Sequence, residues 1–187
     1  MLVLGAGSGV GLAAVDVGRS LGMTVFAAAS TDDKRSAAAE RGAVAVIDSS
    51  SDDVKVRAKE LAAEFTGDPN GVDVVYDPVG GSQGEQALRA LRDDGQFLVI
   101  GFASGAIPQL PANQVLLRNR RVTGVDWGAW AGRHPADNAA MLDAIVAAVE
   151  AGALHPAEPV RYPLSDASRA LQDQLDRKIT GKTVLVP

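Results

Sequence analysis

Along the chain, apolar residues occur in two alternating patterns: short unbroken runs, as at residues 25–29, 44–47 and 97–100, and runs in which they recur every three or four positions. The first pattern fits a strand buried on both faces, the second a helix with one apolar stripe. Residues 1–4 read as a strand. Val10, Ala13, Ala14, Val17 and Leu21 then recur at helical spacing, with Gly22 placed to end that helix. Residues 24–29 predict a second strand, a helix runs from about Asp32 to Gly42, and residues 44–47 form a third strand. Ser51, Asp52 and Asp53 can open a further helix that stops near Gly67, and Asp68-Pro69-Asn70-Gly71 is a turn.

The second half repeats the scheme with strand 72–76, helix 85–91, strand 96–100, a short helix at 113–117 and strand 121–126. Strands that alternate with helices imply a parallel sheet with crossover helices, so the expected class is α/β. Six strands in two such halves make a doubly wound Rossmann sheet, whose ligand crevice lies outside the carboxyl ends of the strands where their order reverses. The loops after Leu4, Ala29, Tyr76 and Ile100 are therefore expected to converge on one ligand. An amphipathic helix at 136–151 follows, with Leu142, Ile145, Val146 and Val149 on one face. The remainder predicts a strand at 160–162, a helix opened by Ser165-Asp166 and closed by Arg177-Lys178, and a strand at 183–186. This divides the chain into a dinucleotide-binding domain, 1–152, and a strand-helix-strand tail, 153–187. A first strand at Met1, with a glycine turn already at Gly5, leaves nothing ahead of it to cover its neighbours, and predicts a larger parent protein.

Composition narrows the chemistry. With 47% hydrophobic and 22% charged residues the chain should fold, and no apolar run approaches the ~20 residues that cross a bilayer. No signal-peptide pattern opens it, so the expected location is cytoplasmic, with no membrane partner. A net charge of −5 argues against nucleic acid as a partner, because phosphate-backbone binding calls for a basic surface. The absence of cysteine removes disulfides, thiolate metal sites and a cysteine nucleophile. His134 and His155 remain as possible imidazole ligands, but each stands beside a proline and reads as a surface residue.

Gly5-Ala6-Gly7-Ser8-Gly9-Val10-Gly11 stands between a strand and a helix, the context in which a glycine-rich run can hold phosphate. The chemistry needs a tight turn, a backbone bare enough for pyrophosphate to approach, and a small residue where helix meets strand. The strict fingerprint is not met, since counting from Gly5 or Gly7 brings its third glycine to Val10 or Leu12. A variant fits: Ala6-x-Ser8-x-x-Gly11, with a Ser8 hydroxyl able to donate to phosphate and helix-start amides at Gly9 and Val10 facing it. The other reading is a turn that only packs helix on sheet, which the six-strand pattern disfavours.

At the end of the second strand, where a carboxylate would accept from an NAD ribose hydroxyl, the sequence reads Ala29-Ser30-Thr31, and Lys34 and Arg35 follow within a turn. Ser30, Thr31 and Lys34 are accordingly the candidates for an adenosine 2′-phosphate, making NADPH the expected cofactor ahead of NADH. Asp32 and Asp33 run against this, although acids at a helix start also serve its dipole.

Taken together, these motifs resemble the medium-chain dehydrogenase/reductase superfamily, in its zinc-free quinone oxidoreductase branch. The resemblance runs the length of the chain. It rests on Val3 through Gly11, Ser30-Thr31-x-x-Lys34, Gly42-Ala43 before Val46-Ile47-Asp48, and Val72-Asp73-Val74-Val75-Tyr76-Asp77-Pro78-Val79-Gly80-Gly81. It continues through Gly95-x-Phe97-x-x-Ile100-Gly101-Phe102-x-Ser104-Gly105 and the closing Gly181-Lys182-Thr183-Val184-Leu185. The resemblance implies that Lys34 reaches the 2′-phosphate and that the loop of Gly101, Phe102, Ala103 and Ser104 meets the nicotinamide side. It also implies that Val125, Asp126 and Trp127 lie near that end and that Arg177 approaches the cofactor. Relatives often carry tyrosine at the adenine end where this chain has Ser49, and glycine where it has Ser8.

The resemblance further implies an amino-terminal substrate domain with no counterpart here, to which the tail would return. The implied reaction is hydride delivery to a quinone or activated enone, with no catalytic side chain required from this half, and it is the zinc-free branch that implies no metal. The resemblance also implies pairing of two copies through the sixth strand, where Trp127 and Trp130 would pack; aromatics buried within the domain are the other reading of that pair. Two rival readings differ in class. A short-chain dehydrogenase needs Tyr-x-x-x-Lys, but Tyr76 is followed at that spacing by Gly80 and Tyr162 by Asp166. A non-catalytic nucleotide-binding module would leave the same trace as an enzyme whose chemistry uses no catalytic side chain.

Overall fold

The computed structural model describes residues 1–187. Six parallel strands, β1 (Leu2–Val3), β2 (Phe26–Ala29), β3 (Ala45–Asp48), β4 (Val72–Asp77), β5 (Leu91–Val99) and β6 (Arg121–Gly124), form one sheet in the order β3-β2-β1-β4-β5-β6. This is the doubly wound Rossmann arrangement, and its order reverses between β1 and β4. The intervening helices are α1 (Gly9–Ser20), α2 (Asp32–Glu40), α3 (Val54–Thr66), α4 (Gly81–Ala90) and α5 (Ala112–Leu116).

Side chains alternate across the sheet as strand geometry requires. Leu2, Leu4, Phe26, Ala28 and Phe97 pack under α3 and α4 in a core of 16 buried residues. Val3, Val25 and Ala27 face the other way, against Leu12 and Val15 of α1 and Ala38 of α2, in a cluster of 7. Polar side chains cap these helices where the sequence placed them: Thr31 accepts from the Lys34 amide, and Asp53 from the Val56 amide at 3.0 Å.

Several boundaries differ from the sequence reading. The α4 helix begins at Gly81, four residues ahead of Glu85, because the Asp77 carboxylate folds the preceding loop back on itself by accepting from the Val79 and Gly80 amides, both at 2.8 Å. Strand β6 stops at Gly124, and Asp126 caps an unexpected short helix, α6 (Trp127–Arg133), by accepting from the Ala129 amide at 3.0 Å. The apolar stripe of α7 (Pro135–Glu150) is not buried: Leu142, Ile145 and Val146 are 44%, 43% and 56% exposed. His155 is more engaged than a lone surface residue, since its amide donates to the buried Asp16 at 2.5 Å and its ring meets Arg19 at 3.2 Å.

The tail forms a separate two-stranded parallel sheet, β7 (Val160–Pro163) and β8 (Thr183–Val186), linked by a 3-10 turn and α8 (Ala167–Leu175). It returns to the first strand's turn, where the Gly181 amide donates to the Gly7 carbonyl at 2.9 Å and Ser8 bridges Gly181. No helix is long and apolar enough to cross a membrane.

Candidate functional site

The reversal of strand order opens a cleft beside the glycine turn. Gly5 enters it with φ +56, a conformation that favours glycine. Gly11 lets α1 meet β1: a Cβ there would stand 2.2 Å from the Gly5 carbonyl oxygen and 2.7 Å from the Ala6 Cα. Ala6 is wholly buried and donates to the Ala28 carbonyl at 3.0 Å, so Ala6 and Gly11 shape the turn from below without lining the cleft. The Ser8 hydroxyl caps α1, accepting from the Gly11 amide at 3.1 Å and donating to the Gly5 carbonyl at 2.8 Å. The Val10 amide finds no acceptor within the chain, the Gly9 amide faces the Gly181 carbonyl across the Ser8–Gly181 bridge, and the first turn of α1 carries no acid. That helix end therefore presents an open donor and the positive pole of its dipole.

A cleft of about 530 Å³ extends from this turn. Ser8, Gly9, Ser30, Lys34, Ser49, Ala103, Ser104 and Arg177 all line it, drawn from the loops after β1, β2, β3 and β5 and from the tail. Lys34 lies along Gly7, its stem 2.5 Å from where a Cβ on that glycine would stand. Its ammonium donates to the Arg177 carbonyl at 2.5 Å, and neither Lys34 nor Arg177 has a carboxylate partner among the ion pairs. Partial burial, reinforced by the Arg177 charge, holds the Lys34 ammonium below the usual lysine range. The acids nearby are otherwise occupied: Arg35 pairs with Asp32 and, at 3.0 Å, with Asp48. The Thr31 hydroxyl is taken up in capping α2.

A second basin of about 810 Å³ lies on the other side of Val10. Tyr76, Val99, Ile100, Gly101, Phe102, Val125, Asp126 and Trp127 line it, and most of this surface is apolar. The two loops that shape it are fastened together, with the Ala103 and Ser104 amides donating to the Pro78 and Val79 carbonyls at 3.0 and 2.9 Å. Trp127 turns its indole N–H to Asn138 at 3.2 Å, and Trp130 stacks on His134 with centroids 5.2 Å apart. Burial raises the Tyr76 phenol above its ordinary range, so it stays protonated near neutrality.

Val79, in the loop after Tyr76 that the strand pattern pointed to, also lines the first cleft, and so do Gln83, Gln174 and Ile179, which the sequence did not single out. These three carry no local signal, since each reaches the cleft only through the path of its loop or helix.

Residues 9–147 match the zinc-binding dehydrogenase family. The chain belongs to that family. Within the wider medium-chain dehydrogenase/reductase superfamily it stands with the quinone oxidoreductase-like members. It is 33% identical over 186 residues to the quinone oxidoreductase-like protein 2 homolog of Nematostella vectensis, a match covering 99% of this chain and 50% of that protein. The quinone oxidoreductase of Pseudomonas syringae superposes on it with a TM-score of 0.86 at 28% identity, over 100% of this chain and 56% of that one. The Escherichia coli quinone oxidoreductase, solved in complex with NADPH, gives a TM-score of 0.83 at 28% identity over the same shares. The chain thus spans about half the length of the relatives it matches.

Despite the family's name, the donors in this chain do not fit a zinc ion. There is no cysteine, and no three His, Asp or Glu side chains gather as a metal-holding group. A dinucleotide fits better: a free amide stands at the opening of α1, and two cations without acid partners stand in the same cleft.

Proposed function

We propose that this chain binds NADPH as the cofactor-binding part of an oxidoreductase that reduces a quinone or an activated enone. The observation that carries the reading is the pair Lys34 and Arg177, two cations without carboxylate partners in a cleft that begins at the glycine turn. The opening of α1 at Gly9 and Val10 is assigned to the diphosphate. Ser30, Lys34 and Arg177 are assigned to the 2′-phosphate, with Thr31 acting through the helix it caps. Ser49 belongs to the adenine end. Ala103 and Ser104 flank the diphosphate, while Gly101, Phe102, Val125, Asp126 and Trp127 hold the nicotinamide side through a largely apolar wall.

When bound, the reduced nicotinamide supplies the hydride. The residues of this chain orient the ring and keep water from it, and orientation alone can supply much of such a reaction's acceleration. No side chain here is assigned a proton transfer. The NADPH complex of the Escherichia coli relative supports the cofactor, and the relatives' names support the acceptor class.

Calorimetric titration tests this directly. NADPH should bind more tightly than NADH, and an absence of heat with both dinucleotides would remove the assignment. A longer protein containing this chain should consume NADPH with a benzoquinone, and one that binds NADPH but never turns over would favour a non-catalytic module. We also assign the exposed edge of β6, Arg121–Gly124, to contact with a second copy. A monomeric mass by sedimentation would dispose of that assignment.

A further inference from the structure

The adenine end of the cleft contains one side chain whose hydrogen bonding is fixed in a way that leaves a function open. Gln83 lies in the first turn of α4 and faces the loop after β3, where its Nε2 donates to the Ser49 backbone carbonyl at 3.3 Å. A carbonyl can only accept, so the amide must turn its nitrogen to Ser49, and its Oε1 is the branch left over. That oxygen has no partner in the chain, and Gln83 lines the same cleft as Ser30, Ser49 and Val79. Ser49 lacks a ring that would stack on a base, which leaves polar groups to recognise the base edge at this end.

We propose that Gln83 is a specificity-determining residue that reads the purine of the cofactor, its Oε1 accepting from the exocyclic 6-amino group. This rests on the NADPH reading above and names the group that selects the base. The chemistry discriminates by sign: a 6-amino group donates to Oε1, whereas a 6-oxo group sets acceptor against acceptor. A neutral hydrogen bond of this kind corresponds to roughly three- to tenfold in affinity. The bond from Nε2 to Ser49 gives the amide a preferred orientation, so that its reversal on meeting a 6-oxo purine would forfeit the contact to Ser49.

The test is calorimetric titration of the chain and of Gln83→Leu and Gln83→Met with NADPH and with its hypoxanthine analogue, in which the 6-amino group is replaced by oxygen. The unaltered chain should prefer NADPH by roughly three- to tenfold, and both variants should bind the two dinucleotides about equally while melting within about 2 °C of the parent. Two variants of different shape guard against a packing defect in either. Equal affinities in the unaltered chain, or a preference that survives both substitutions, would overturn the role of Gln83 and leave cofactor binding intact. No binding of either dinucleotide to the unaltered chain would overturn the cofactor reading itself, and the inference with it.

Discussion

The Lys34 ammonium and the Arg177 carbonyl lie 2.5 Å apart, joining residues separated by 143 positions across one edge of the cleft. The contact brings the tail's guanidinium near a lysine whose charge it opposes, and this local excess of positive charge is what an added phosphate would relieve. A hydrogen bond to a charged group contributes about 1.5–3 kcal/mol. Lys34→Ala should therefore weaken NADPH binding roughly tenfold to a hundredfold and leave NADH nearly unchanged, as fluorescence titration would register. Equal losses for both cofactors would remove Lys34 from the 2′-phosphate.

Gly11 is a packing requirement before it is a binding one. Its substitution by alanine drives a methyl group into the Gly5 carbonyl, a contact with rigid backbone that no rotamer change relieves. Overpacking of this kind costs about 1–3 kcal/mol, and each kcal/mol lowers the melting temperature of a domain of this size by about 2–4 °C. Gly11→Ala should melt lower by that amount and lose dinucleotide binding, whereas Gly22→Ala, at a position with no neighbour within 4 Å, should retain binding.

Asp77 predicts a pH effect of one sign. Its carboxyl is 1% exposed and Oδ2 has no partner; burial raises its pKa, although hydrogen bonds from the Gly80 and Val79 amides work against the shift. A carboxyl with a raised folded-state pKa contributes stability that is present below the ordinary aspartate value of about 3.9 and lost as pH rises through the raised value. Asp77→Asn keeps an acceptor for both amides and removes the charge. Its stability relative to the parent should thus improve as pH rises from about 4 in urea melts. A difference that stays flat as pH rises would contradict the assignment.

Asp16 predicts the opposite sign. Burial works against its charge, but the hydrogen bonds from Arg19 at 2.8 Å and from the His155 amide at 2.5 Å outweigh it and hold the carboxyl below the usual range. Stability from this group is present above about pH 3.9 and lost as pH falls through the lowered value. Asp16→Ala should cost about 1–3 kcal/mol at pH 7 by leaving the His155 amide without its acceptor and Arg19 with only the Ala153 carbonyl and the His155 ring, and the deficit should shrink below about pH 4. Faster proteolysis around residues 153–157, which Asp16 and Arg19 tie to α1, is the accompanying readout.

The sequence determined by itself what local spacing and local backbone chemistry control. Unbroken apolar runs such as residues 25–29, alternating with helical recurrences, were enough for the class and the number of strands. The glycine turn and the missing carboxylate after β2 were equally legible, since both lie within one strand-turn-helix unit. Boundaries were less so: the start of α4 depends on how Asp77 folds its loop, and α6 depends on an Asp126 cap that reads equally well as the end of a strand. The stripe expected on α1 was the wrong face: Leu12 and Val15 are the buried ones, and Val10, Val17 and Leu21 are 45%, 41% and 68% exposed.

Only the tertiary structure decided which distant residues share the cleft. Gln83 reaches Ser49 and Arg177 reaches Lys34 because the crossovers bring the carboxyl ends of β2, β3 and β4 to one side and the tail folds back onto Gly7. No period in the chain encodes such meetings, for they depend on the summed path of the intervening residues. The same holds for the exposed stripe of α7, which has the pattern of a buried helix but finds little of this chain to cover it.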